Sequence, residues 1–434
     1  MHFVFFTIAA LGLIYFFCKS RRFDYLAILF FSGLVYALHA FVGHVECHKS
    51  YGYFYIEVSQ YAYTTLSVYF GTILIGTLFY DFHIASPDHS DYDAPSDRLL
   101  QSYKHCAIAL NLLSAVFCFS FLRESPDIIL HSINKLEFLE ELGRSHTLFQ
   151  LSAVMGLVAS VLARKKSLIL VATSLLLLDV YIGFRSGFAM AAIGVIMVLA
   201  ERNKPAPLYQ KWKLVAFGGA IATFTLVIKR FYRAIKSGDN FILEYSYDFV
   251  VNRPKEMILN SEPQGVMLMY LASLENEIRV DFQYVLNQLI GLIPLGPMLG
   301  FHAEENFNDV VQGSVLGVSS DRVGLAASSL GEWHAIGGHA GLVALGVLLI
   351  VAIACLSKLR HRAAWLHPPC TAILSFYSFY SYRNGIFQTA KFSRNVILLS
   401  VVVVALAFLV KAFMGLQSQQ KRPFQPSGRR RQHN

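Results

Sequence analysis

Eleven stretches of this chain are apolar over enough residues, or nearly enough, to cross a bilayer, and no other feature limits the fold as strongly. A helix needs roughly 20 residues to span about 30 Å of hydrocarbon, and fewer where it turns below the interface. The stretches are 2 to 18, 25 to 43, 59 to 80, 105 to 122, 147 to 163, 167 to 184, 187 to 200, 213 to 229, 335 to 357, 364 to 382 and 395 to 415. With 55% hydrophobic residues, 15% charged residues and a mean hydropathy of +0.48, the chain is too apolar for a soluble enzyme, a disordered tail or a disulfide-stapled secreted module. The expected fold class is an all-α integral membrane protein of about 11 transmembrane helices. A transporter, a channel or a membrane-embedded enzyme remains.

Orientation follows from the basic residues. The first stretch has no Lys or Arg before it and Lys19, Arg21 and Arg22 after it, the reverse of a secretory signal peptide, so it stays as an anchor with its N-terminus outside. In that orientation the inner loops, inner span ends and C-terminal tail carry 21 Lys and Arg, against 8 in the four short outer loops, as the positive-inside rule asks. The tail, with Lys421, Arg422 and Arg429 to Arg431, is the inner anchor for acidic headgroups. The net charge of +9 thus belongs to topology, and no nucleic-acid partner is expected. Five of the six cysteines fall in the apolar stretches and Cys47 in an outer loop, so no disulfide framework is expected. His44, Cys47 and His48 fit no standard zinc spacing, and no metal or other cofactor is expected.

The organisation is asymmetric: an N-terminal bundle of about eight helices over 1–229, a large outer segment over 230–334, about three helices over 335–415, and a basic inner tail over 416–434. Outer connections of such length carry function or structure of their own. Val280, Val285, Leu286, Leu289, Ile290 and Ile293 recur at helical spacing among polar residues, which predicts an interfacial amphipathic helix, ended by Pro294, Gly296, Pro297 and Gly300. Residues 304 to 329, rich in Gly, Ser, Asn and Asp, read as an irregular lid or crevice wall.

Candidate chemistry gathers at the outer face. Residues 167 to 200 must cross twice with about 17 residues, or roughly 25 Å, per pass, so the turn Phe184-Arg185-Ser186-Gly187 is recessed. A guanidinium there calls for an anion or a polar cavity, unless it snorkels to headgroups. Lys229, Arg230, Arg233 and Lys236 precede the first acid at Asp239 and suit a phosphate or an anionic lipid surface equally. Arg279 follows Glu275 and Glu277, and Arg383 and Arg394 bracket the last outer loop, where interfacial anchoring is the competing reading. The segment 230–334 has a net charge of −6, so any anion site rests on a few focused cations. At the mouth of the ninth stretch, Glu332 and His334 are the titratable groups able to take a proton from a hydroxyl. Trp333 suits the interfacial belt, Gly337, Gly338 and Gly341 would allow close helix approach, and His339 reads as a satisfied intramembrane residue.

This pattern resembles the Wzy-type O-antigen polymerases, the oligosaccharide repeat unit polymerases of bacteria. The resemblance covers the architecture of nearly the whole chain and three short signatures: Phe184-Arg185-Ser186-Gly187, Gly331-Glu332-Trp333-His334 through Gly338, and Arg383-Asn384-Gly385. Related sequences often carry a basic residue after an Ile-Pro of the large loop; here Ile293-Pro294 is followed by Leu295-Gly296, so that part of the donor site does not carry over. The resemblance implies a GT-C-like fold in the bacterial inner membrane, N-terminus periplasmic and C-terminus cytoplasmic. It also implies metal-independent glycosyl transfer between two undecaprenyl-diphosphate-linked oligosaccharides at the periplasmic face. Arg185, Arg230, Arg233 and Arg383, with Arg279 less strongly, would bind diphosphate. Glu332, or second His334, would be the base. A chain-length regulator and a flippase would be pathway partners, and membrane lipids would surround the spans. An O-antigen ligase and a lipid-linked oligosaccharide flippase are the alternatives, although no internal repeat of the transporter kind is visible.

Overall fold

A computed structural model describes residues 1–19, 24–49, 52–84, 96–130, 135–201, 206–238, 240–293, 307–314, 316–317 and 327–420. The N-terminal part comprises α1 (His2–Cys18), α2 (Tyr25–Tyr36), α3 (Leu38–Val42), a hairpin of β1 (His44–Lys49) and β2 (Gly52–Glu57), then α4 (Gln60–Phe79), α5 (Asp97–Glu124), α6 (Asp127–Leu130), α7 (Lys135–Leu162), α8 (Lys166–Ile182), α9 (Ser186–Glu201) and α10 (Trp212–Ser237). There follow α11 (Asn240–Asn252), α12 (Pro254–Leu259), α13 (Glu262–Glu275), α14 (Phe282–Leu289), α15 (Phe307–Ser314), α16 (Ser329–Leu359), α17 (His367–Ser375) and α18 (Ile386–Gln420). Among the described residues, six helical segments, Gln60–Ile84, Asp97–Glu124, Ser145–Leu162, Leu208–Ile228, Ser329–Leu359 and Ile386–Val410, are long and apolar enough to cross a membrane. Three shorter apolar helices accompany them. The chain is a multi-pass, essentially all-α membrane protein, and exposed Phe3, Ile75, Phe119, Leu170, Val401 and Phe408 are the apolar surface that a bilayer covers.

Side-chain caps start several helices. Asp24 accepts from the Ala27 N–H at 3.0 Å, Ser59 from Ala62 at 3.1 Å, and Asp281 from Tyr284 at 2.8 Å; each satisfies a donor that the first turn leaves orphaned. Of five apolar clusters among the described residues, two are large. One joins α1, α2, α4, α13 and α16 around Phe5, Phe30, Phe70 and Tyr270; the other joins α5, α7, α9, α17 and α18 around Phe149, Val154, Phe376 and Val396. α4 and α16 run parallel: Tyr61 meets His334, a Cβ on Gly346 would meet Thr72, and one on Gly76 would meet Ile350.

Several boundaries depart from the sequence expectation. α10 continues to Ser237 instead of ending at 229, so the basic run Lys229 to Lys236 lies on one uninterrupted helix. α16 begins at Ser329, not 335, and α18 at Ile386, not 395; the added turns pack against protein and so need no lipid. The amphipathic helix of the outer segment is present but short, α14 giving way to a tight turn at Ile290–Leu292, and Pro294 to Gly300 lie outside the described residues. The stretch 304 to 329 is not wholly irregular, since α15 falls within it. The β1–β2 hairpin stands between α3 and α4, with Val45 and Cys47 buried.

α13 was not anticipated at all. Its residues from Val266 to Leu274 are all buried, so a piece of the outer segment is core. That helix fixes the site described next.

Candidate functional site

The N-terminal ends of α4, α9, α13, α16 and α18 and the turn after α17 meet at one end of the bundle, and the sequence-flagged residues gather there. Arg383 closes a tight turn, Ser381–Arg383, between α17 and α18. Its Nη1 donates to Glu262 Oε1 at 2.6 Å. The Tyr36 hydroxyl donates to the same oxygen at 3.0 Å, and the guanidinium lies 5.6 Å from the centre of the Tyr380 ring, within cation–π range. Burial alone would lower the pKa of Arg383, but Glu262 and the phenols of Tyr36 and Tyr380 raise it above the usual guanidinium range.

Arg185 joins this cluster. It stands between α8 and α9, after the left-handed Gly183 that ends α8, and its Nη1 donates to the Thr225 carbonyl of α10 at 2.8 Å. Burial lowers its pKa; Glu262, Tyr380 and Tyr232 oppose that shift and Arg383 adds to it. Behind the turn lies a polar network that sequence reading missed. Buried His146 and Asp179 are 2.8 Å apart, Gln150 Nε2 donates to the other Asp179 oxygen at 2.8 Å, and Ser186 donates to Gln150 at 3.4 Å. The Arg185 turn is thereby tied to α7 and α8.

Glu332 occupies a sealed position. It is 1% exposed; Oε1 accepts from the Tyr284 hydroxyl at 2.6 Å and Oε2 from the Ile386 N–H at 2.8 Å. The carboxylate therefore caps the N-terminus of α18, where the helix dipole favours an anion. Gly385 packs against it: a Cβ there would lie 2.9 Å from Oε2. The Tyr284 hydroxyl also accepts from the Phe307 N–H at 3.0 Å, linking α14, α15, α16 and α18 through one carboxylate. Burial, then the charge of Glu332, push the Tyr284 pKa well up, so it stays a donor.

The chain matches no family model, no curated protein and no solved structure. The site is therefore read from its own geometry.

His334, 4% exposed, pairs its Nε2 with the Tyr61 hydroxyl at 2.9 Å, and Tyr61 is 43% exposed. The buried imidazole thus reaches the surface through a phenol. His339 packs edge-on to Tyr61, and its buried Nε2 has no hydrogen-bond partner among the described residues. Trp333 packs against the first core, not in an exposed belt.

Arg279 binds backbone at a break in α16. α16 breaks at Gly337 and Gly338, whose backbones leave helical geometry, and the break frees carbonyls of the preceding turn. Arg279 Nη1 donates to the His334 carbonyl at 3.1 Å, and the Val280 N–H to that of Ala335 at 3.2 Å. Arg394 likewise binds a carbonyl, that of Ile293 at 3.0 Å. Arg230 and Arg233 fall on α10, and their side chains lie outside the described residues.

Of the expected diphosphate ligands, then, Arg383 pairs with Glu262, Arg185 donates to the Thr225 carbonyl, and Arg279 holds the break in α16. Sequence reading missed Glu262, Tyr36, Tyr284 and Tyr61. The apolar run 266 to 272 following Ser261-Glu262-Pro263 was the available signal, since Pro in the first turn marks a helix start.

Proposed function

We propose that the protein is a polymerase of lipid-linked oligosaccharide repeat units, working at the outer face of a bacterial inner membrane on undecaprenyl-diphosphate-linked donor and acceptor. The observation that carries this reading is the anchoring of Arg383 on Glu262 and of Arg185 on the Thr225 carbonyl, at the end of the bundle that also holds Glu332 and His334. In the same reading the nine apolar helices, α8 and α17 make eleven GT-C-like spans, with the N-terminus outside and the C-terminus inside.

The chemistry is a displacement at the anomeric carbon of the donor glycan. A hydroxyl at the non-reducing end of the acceptor attacks that carbon and a new C–O bond forms. The bond from the anomeric carbon to the diphosphate oxygen breaks, its electron pair leaving with undecaprenyl diphosphate. Arg185 and Arg383 meet the charge that grows on that oxygen, and guanidinium forks suit phosphate oxygens. The hydroxyl proton goes to a base. Glu332 takes that role where the acceptor hydroxyl replaces the hydroxyl of Tyr284, the one bond to the carboxylate that comes from a side chain. His334 takes it where the proton travels through Tyr61.

That second route also supports an O-antigen ligase, since such ligases use a histidine on the acceptor side. Loss of the gene separates the two: core carrying a single repeat unit marks a polymerase, unsubstituted core with polymer retained on the lipid carrier marks a ligase. For the site itself, Arg185→Ala and Arg383→Ala are each expected to lower polymer formation by about 10²–10³-fold, the usual cost of removing one donor to a developing oxyanion. Unchanged long-chain polysaccharide at normal protein levels would remove both residues from the site.

A further inference from the structure

Glu262 is not something a diphosphate site requires, and its position is specific. It stands in the first turn of α13, and the residues behind it from Val266 to Leu274 are buried, so its backbone is fixed by the core. One of its oxygens collects Arg383 and Tyr36, with the Arg185 charge alongside. A guanidinium and a phenol converging on one oxygen is a pair of donors that a phosphate oxygen would receive. The Arg383–Glu262 pair is also open to exchange. The two side chains are 32% and 26% exposed, whereas Glu332 is sealed, so an incoming anion can reach the guanidinium without dismantling the core.

We propose that Glu262 is an internal stand-in for the phosphate of the substrate. It neutralises Arg383 and steadies Arg185 between turnovers, gives up Arg383 when a lipid diphosphate enters, and takes it back as the product leaves. It thereby weakens the site's hold on anions. This has a use: breaking the glycosidic bond leaves one more negative charge on the diphosphate, and a site with two uncompensated guanidinium groups would release that product slowly. The inference rests on reading this end of the bundle as a diphosphate site.

The test is titration of inorganic pyrophosphate into the full-length protein in lipid nanodiscs, without divalent cations. Glu262→Gln keeps the shape and removes the competing charge, and is expected to bind pyrophosphate roughly tenfold more tightly than the unaltered protein, about 1.4 kcal/mol. Glu262→Asp, shorter by one methylene on the same rigid helix, is expected to bind severalfold more tightly and serves where the Gln variant does not fold. Arg383→Ala is expected to abolish the gain in either background. Equal or weaker binding by the Glu262 variants, with Arg383→Ala still lowering affinity, would overturn the stand-in role and leave the diphosphate reading in place. Pyrophosphate binding indifferent to Arg185→Ala and Arg383→Ala, or absent from every form, would overturn both.

Discussion

Two buried carboxylates show how much a single residue organises here. Glu332 holds α14 through Tyr284 and α18 through the Ile386 N–H, and a buried hydrogen bond to a charged group contributes about 1.5–3 kcal/mol. Tyr284→Phe removes one such bond and orphans the Phe307 N–H. It is expected to destabilise the purified protein by about 2–3 kcal/mol, read as a fall in melting temperature, while Glu332→Gln is expected to retain the fold and lose turnover. Equal turnover in Glu332→Gln and the unaltered protein would leave the carboxylate with a capping role alone and pass the base to His334. Asp179 is the second case. With His146 and Gln150 it forms a buried network under the Arg185 turn, and Asp179→Ala is expected to cost about 3–5 kcal/mol, the range for stripping one partner from a buried pair. Glu332 and Arg185 were legible in the sequence because a charge inside an apolar run stands out. Glu262, Tyr36 and Tyr284 were not, because their importance lies in partners hundreds of residues away or in another loop.

At the scale of elements, the break in α16 is the feature that sequence reading explained wrongly. Gly337 and Gly338 were expected to permit close approach between helices. A Cβ on Gly337 would meet nothing within 4 Å, and one on Gly338 would have only the Arg279 guanidinium at 3.7 Å. The requirement is conformational: Gly338 has φ +57° and ψ −136°, a region that side chains other than glycine's rarely occupy. Gly338→Ala is therefore expected to cost about 1–3 kcal/mol and to loosen the Arg279 and Val280 contacts with the freed carbonyls. Hydrogen exchange at residues 278 to 281 would register this; unchanged protection there would contradict the strut role of that segment. By the same logic Arg279→Ala should lower stability more than it lowers affinity for pyrophosphate. α13 escaped notice for a related reason. Its apolar run, 266 to 272, is shorter than any stretch that reads as a span, and it lacks the two-faced pattern of a surface helix.

For the molecule as a whole, the hydrophobic runs carried most of the architecture, since nearly every apolar stretch is a helix or part of one. What they did not carry was how the outer segment folds back into the bundle, which depends on long-range packing of α13 against α2, α16 and the β1–β2 hairpin. The charged groups divide between the two ends: Arg185, Arg383, Glu262 and Glu332 at one, and Glu201, Arg360 and His367 as a buried cluster at the other. With the N-terminus outside, a cysteine replacing exposed Lys255 is expected to react with a membrane-impermeant maleimide on the outer side of intact inner membranes. One replacing exposed Arg362 should react only after permeabilisation. The opposite pattern would turn the candidate site inward and end its assignment to the outer face.

The most direct measurement supplies the purified protein, in proteoliposomes, with undecaprenyl-diphosphate-linked oligosaccharide, and follows glycan length and free undecaprenyl diphosphate together. The expected result is lengthened glycan with one carrier released per bond formed, lost when Arg185 and Arg383 are both replaced by Ala. Carrier crossing the bilayer with no new glycosidic bond, or elongation that survives the double replacement, would contradict the site.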